Sequence, residues 1–149
     1  MKARDIMTNK VITITPDAKV RQAVDLMLRH RISGLPVVDE RGKLVGLLVE
    51  SDLVYSSRPD LPAHLQLLED FLRSGRTDMQ EDELVEMASH PVSRYMTRQV
   101  VTATPEASVR ELVEIMVENN FKRIPIIQDG ILKGIVTRAD ILKVIRSGR

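Results

Sequence analysis

The sequence predicts an α+β fold in which one βαββα-type unit is used twice. Three observations predict it. A set of residues recurs in the same order about 89 positions apart. Each copy passes from a helix-period apolar stripe to two short apolar runs separated by turn residues. Each copy, at roughly half the size of a small domain, is also too short to bury an adequate core alone. The two are therefore expected to pack as one pseudo-symmetric module.

The repeat is read first, because a missed one misassigns the whole fold. Met7-Thr8 recurs as Met96-Thr97. Thr13, Thr15-Pro16, Ala18, Val20-Arg21, Val24 and Met27 recur as Thr102, Thr104-Pro105, Ala107, Val109-Arg110, Val113 and Met116, and Pro36 as Pro125. One residue is then lost in a turn, so that Gly42, Leu44, Gly46 and Asp52 recur as Gly130, Leu132, Gly134 and Asp140.

The elements follow in order. Residues 11–14 form a short extended segment ended by Thr15-Pro16. Val20, Ala23, Val24 and Met27 then give the i, i+3, i+4, i+7 stripe of an amphipathic helix, repeated by Val109, Leu112, Val113 and Met116. Ser108 and Glu111 have capping-box spacing at the second helix start. The first copy has Lys19 and Gln22 there, a poorer cap. Two apolar runs, 35–38 and 44–49, are split by Asp39-Glu40-Arg41-Gly42 and read as a hairpin. Runs 124–127 and 132–137, split by Gln128-Asp129-Gly130, repeat it with a tighter turn. A short helix follows each hairpin, from Ser51 and from Ala139. The methionines of the helix stripes, Met27 and Met116, read as packed core.

The copies do not account for residues 58–90. Leu61, Leu65, Leu68 and Leu72 form a helical stripe with Phe71 beside it, and Ser74-Gly75-Arg76 breaks it. Leu84, Met87 and Ala88 suggest another short helix, closed by His90-Pro91. A plain linker lacks such periodicity, so this insert is expected to dock, by preference on its own module. The domain boundaries expected are 1–57, 58–90 and 91–149.

Composition excludes several function classes. With 22 basic and 21 acidic residues the net charge is +1, which provides no global attraction to nucleic acid or to an anionic membrane. Aromatic content of 3% gives no stacking platform for single strands. There is no cysteine, and His30, His64 and His90 lie in no ligand spacing, so no metal site is expected. No apolar run has membrane-spanning length and no leader pattern is visible; the expected location is cytoplasmic. Nor is there a nucleophile–base pair or a Gly-rich phosphate loop, so no catalytic activity and no catalytic cofactor are expected.

The chemically informative stretch is Gly134-Ile135-Val136-Thr137-Arg138-Ala139-Asp140. A carboxylate at a helix start can accept two hydrogen bonds from a ribose cis-diol, and a hydroxyl with free helix N–H groups suits a phosphate. The same arrangement is also that of simple N-capping.

The order in each copy is Met-Thr, Thr-Pro, helix, apolar-Pro-apolar, then Gly-h-h-x-x-x-Asp. It resembles the CBS domain family over residues 3–56 and 92–146. Ser33-Gly34-Leu35-Pro36-Val37-Val38-Asp39 is especially similar to that family's second-strand motif. The resemblance implies a tandem pair with two clefts that bind AMP, ADP or ATP, or less often S-adenosylmethionine or NAD-type ligands. It also implies a homodimeric disk, and regulation of an effector protein rather than chemistry.

Carried over by position, the resemblance makes Asp140 the ribose-binding acid and Thr137 the hydroxyl on phosphate or ribose. Thr102, Ile124 and Pro125 would line the adenine side, with Lys122, Arg123 and Arg138 facing phosphates. A second, weaker site would use Thr13, Ser33, Gly34, Leu35, Pro36, Ser51 and Asp52. There Val49 replaces Thr137, Glu50 replaces Arg138, and Ser33-Gly34 replace Lys122-Arg123, so the second-copy cleft is expected to take the charged nucleotide. The competing expectation is a ligand-free assembly scaffold, in which Asp140→Ala would leave partner binding intact.

Overall fold

Both stripes fold into helices, and their ends show how. In the computed structural model, which describes residues 1–54 and 81–148, α1 is Ala3–Ile6 and α2 is Val20–His30. Strands β1 (Gly34–Val38) and β2 (Leu44–Val49) lead into α3 (Glu50–Val54). Helix α4 (Glu81–Met87) precedes the second copy, which opens on a single 3-10 turn (Val92–Arg94). That copy holds α5 (Val109–Asn119), β3 (Arg123–Gln128), β4 (Ile131–Thr137) and α6 (Arg138–Ser147). The fold is α+β, and among the described residues each hairpin forms a two-stranded sheet.

The helix starts differ as expected. The Ser108 Oγ accepts the Glu111 N–H at 3.1 Å, and the Glu111 carboxylate accepts the Ser108 N–H. For α2, main-chain carbonyls act as the cap, with Val20 N–H donating to His90 O and Arg21 N–H to Ala88 O. The end of the insert thus satisfies helix donors that the sequence of α2 leaves open. Met87 of α4 is buried in the same unit. The leucine stripe at 61–72 lies outside the described residues.

The hairpins follow their turn chemistry. Asp129 and Gly130 both have positive φ (54° and 80°), which forms a two-residue turn that sets Gln128 opposite Ile131. In the first hairpin Asp39 Oδ1 accepts the N–H groups of Arg41 and Lys43, and Gly42 takes φ 81°. The extended segments at 11–14 and its repeat do not become ladders. Each makes one parallel bridge, Ile14 with Val37 and Ala103 with Ile126. Their neighbours Pro36 and Pro125 have no N–H to extend the pairing, and Pro16 and Pro105 end the segments.

The chain divides into two compact units whose membership crosses the repeat. One comprises Met1–Thr13, Val38–Leu44 and Gln99–Arg149, the other Ile14–Val37 and Val45–Arg98. In the first, Ala3 is fully buried with Leu112, Met116, Ile124, Ile126 and Val136. Its Thr8 exchanges both backbone hydrogen bonds with Ile135, at 2.9 and 3.1 Å. In the second, Val20, Ala23, Met27, Leu35, Leu48 and Val92 are buried. Its Thr97 exchanges the same pair of bonds with Leu47. Each Met-Thr segment therefore folds with the hairpin of the other copy.

Candidate functional site

The site begins at the join of β4 and α6. Asp140 is 7% exposed and is the buried charged residue among those described. Its Oδ2 accepts the Thr137 N–H at 2.8 Å and the Thr137 hydroxyl at 3.2 Å, a helix cap by the third residue of α6. Its Oδ1 has Lys143 Nζ 4.0 Å away, one helical turn along. One carboxylate oxygen fixes the helix start and the other faces the Lys143 ammonium.

Asp140 lines a cavity of about 640 Å³. One wall is α6, with Lys143, Val144 and Ser147; the other is the N-terminal segment, with Met1, Asp5, Ile6, Met7 and Thr8. Gly134 allows that second wall. A Cβ there would stand 2.6 Å from Met7 Sδ and 2.9 Å from Thr8 O, so only glycine lets the segment lie on β4. The cavity has the size of a small-molecule site.

The other expected residues divide. Arg123 pairs across the ladder with Thr137, and Lys122 O accepts the Arg138 N–H, so these meet at the same end of β3 and β4. None of the three, Lys122, Arg123 or Arg138, is among the described residues lining the cavity. The Arg138 guanidinium donates to Phe121 O at 3.1 Å and Asn120 Oδ1 at 3.0 Å, and so serves the left-handed end of α5. Ile124 and Pro125 are fully buried in β3. Thr102 is half-buried next to Ala103, whose N–H donates to Pro125 O.

In the other unit Asp52 Oδ2 accepts the Val49 N–H at 2.9 Å, the same cap without the hydroxyl. The hydroxyl comes instead from Thr97, 3.5 Å from Asp52 Oδ1. Burial pushes the Asp52 carboxyl above its ordinary pKa, against the opposing pull of the Val49 and Thr97 hydrogen bonds. Ser33 O accepts the Glu50 N–H, which mirrors Lys122 and Arg138. Gly34, Leu35 and Pro36 are buried in β1, and Ser51 is half-buried in α3. Thr13 belongs to the unit that holds Asp140.

The sequence signals that Asp5, Thr8 and Lys143 could have given are uneven. Lys143 lies three residues from Asp140 on a helix and was legible; Asp5 and Thr8 arrive through a pairing that no local pattern reveals. Among the described residues no cluster of His, Cys, Asp or Glu could hold a metal ion. No described helix is long and apolar enough to cross a membrane.

Comparison with known proteins agrees with this architecture. The family model for the CBS domain matches residues 3–58 and again 92–147. Protein MJ1426 of Methanocaldococcus jannaschii is 34% identical, over 97% of this chain and 91% of its own length. The chain spans less than half of several other curated relatives, inosine-5'-monophosphate dehydrogenases among them. Among solved structures, the CBS domain pair of MJ0100 in complex with 5'-methylthioadenosine and S-adenosyl-L-methionine superposes with a TM-score of 0.70. It is 24% identical and covers 100% of this chain and 98% of that one. CBSX2 in complex with AMP superposes with a TM-score of 0.72 at 24% identity, covering 99% and 98%.

Proposed function

The chain belongs to the CBS domain family as a tandem pair, and we propose that it is a regulatory module that binds an adenine nucleotide (AMP, ADP or ATP) beside Asp140. One observation carries this reading: a nearly buried carboxylate caps α6 through one oxygen and borders a ligand-sized cavity. The second oxygen is suited to a ribose cis-diol, because a carboxylate accepts two such hydrogen bonds without any proton rearrangement. Neighbours of the same fold hold AMP in one case and methylthioadenosine with S-adenosylmethionine in another, which supports an adenosyl ligand.

Occupancy would be passed on by differential binding, and a coupling of about 1–3 kcal/mol is sufficient for regulation. The receiving surface we propose lies on the helices: Val117, Leu142 and Ile145 are exposed apolar residues of α5 and α6. A second copy of the chain would cover them in a homodimer, with an effector protein as the final recipient.

The test is thermal unfolding with each nucleotide. A ligand at 100 times its Kd adds about 2.7 kcal/mol, so a clear rise in Tm is expected. Asp140→Ala should abolish that rise. If AMP, ADP and ATP all leave the Tm unchanged at millimolar concentration, the reading fails. Native mass spectrometry of the purified protein would report subunit number and co-purified ligand together.

A further inference from the structure

We propose that Asp5 sets the charge preference of the Asp140 cavity, so that adenosyl ligands with little or no negative charge are favoured over polyphosphates. The proposal rests on the adenosyl site argued above and adds the class of ligand that fits it.

The charged residues among the described lining are Asp5, Asp140 and Lys143. With Asp140 given to the helix cap and, on the reading above, to the ribose, the charged side chains left in this lining are Asp5 and Lys143. Asp5 is held in place: its Oδ2 accepts the Lys2 N–H at 2.8 Å and closes the single turn of α1. The two cations of the same segment are drawn elsewhere, because Lys2 and Arg4 both pair with Glu106, which does not line the cavity. Arg138 is bonded to the end of α5. Sites for polyphosphates gather Arg, Lys and N–H donors around the anion; this cavity is lined by two carboxylate side chains and one ammonium side chain.

The preference follows from which Met-Thr segment reaches which acid. In the repeat, Asp5 corresponds to Arg94. The segment that brings Thr97 to Asp52 carries Arg94 and Arg98, whereas the segment that brings Thr8 beside Asp140 carries Asp5. Comparing each copy only with itself assigns the anionic ligand to Asp140. The observed folding of each segment with the other copy's hairpin instead brings Asp5 to the Asp140 cavity.

The experiment is calorimetric titration of the full chain with 5'-methylthioadenosine, AMP and ATP, in wild type, Asp5→Asn and Asp5→Lys. The component removed by Asp140→Ala is assigned to this cavity. Wild type is expected to bind methylthioadenosine and AMP more tightly than ATP. Asp5→Asn should improve ATP about 5-fold relative to methylthioadenosine, and Asp5→Lys by more, with the gain shrinking as salt is added. Methylthioadenosine itself should change by less than about 2-fold, since an uncharged tail does not sense Asp5. Tighter ATP binding in wild type, or a ratio indifferent to both substitutions, overturns the proposal while leaving the site intact. Failure of all three ligands to bind wild type overturns the site and this proposal together.

Discussion

Two aspartates at equivalent positions of the repeat differ at the scale of single residues. Both accept the N–H three residues back, but only Asp140 also takes a hydroxyl from its own strand. Asp52 receives a long bond from Thr97 instead, and burial raises its pKa. The folded chain therefore keeps the Asp52 proton to a higher pH than the unfolded chain. Its contribution to stability is greatest below the ordinary carboxylate value and declines as pH rises through the raised one. Asp52→Asn retains an acceptor for the Val49 N–H and removes the titration. Denaturant unfolding from about pH 4 to about pH 7 should show the variant gaining on wild type as pH rises. The gain should be modest, about 0.5 kcal/mol, because solvent screens a half-exposed group. Glu106 gives the opposite sign: its pairs with Lys2 and Arg4 lower its pKa. Glu106→Gln should slightly lower the Tm at neutral pH, and the loss should vanish in acid and in high salt.

At the scale of elements, what the sequence revealed and what it hid have distinct physical causes. The helices on Val20 to Met27 and Val109 to Met116 were legible because one buried face imposes a period. The Asp129-Gly130 turn was legible because positive φ restricts the residues that can occupy it. Helix α1 has four residues, too few to display a period, and it is held by Ala3 in the core and by the Asp5 cap on the Lys2 N–H. The expected strands at 11–14 and its repeat failed at the prolines beside them. Gly46 and Gly134 were visible as motif positions, but their reason is tertiary. A Cβ on Gly46 would lie 2.8 Å from Met96 Sδ and 3.0 Å from Thr97 O, close to the Gly134 case. A methionine side chain can swing away; a carbonyl held in a two-bond bridge cannot. Each Gly→Ala change is thus expected to cost about 1–3 kcal/mol. Met7→Ala added to Gly134→Ala should recover only part of the loss in urea unfolding. Gly134→Ala should also blunt the ligand-induced rise in Tm, since it moves Thr8 away from Asp140, whereas complete recovery by Met7→Ala would show that sulfur contact alone requires the glycine.

For the whole molecule, the exchange of Met-Thr segments makes neither copy a self-sufficient folding unit. Asp140, legible in the second copy, stands with Lys143, Val144 and Ser147 on one wall of a cavity whose other wall is drawn from residues 1–8. A repeat detected by alignment says which positions are equivalent; it is silent about which copy each segment joins. The consequence is measurable in a chain that begins at residue 9. It loses fully buried Ala3, the half-buried Ile6 and Met7 that pack on the same core, and the two backbone bonds between Thr8 and Ile135. Removing that apolar area and leaving a β4 N–H and carbonyl without partners should cost about 3 kcal/mol or more. At roughly 2–4 °C per kcal/mol for a chain of this size, the Tm should fall by about 10 °C. Hydrogen exchange should locate the loss: amides of β4 and α6 become less protected, while those of β1 and α2, in the other unit, keep their protection. Equal loss in both units would mean that the N-terminal segment supports the molecule as a whole. No loss in either would mean that the second copy completes its own core, and residues 1–8 would then be only a wall of the cavity.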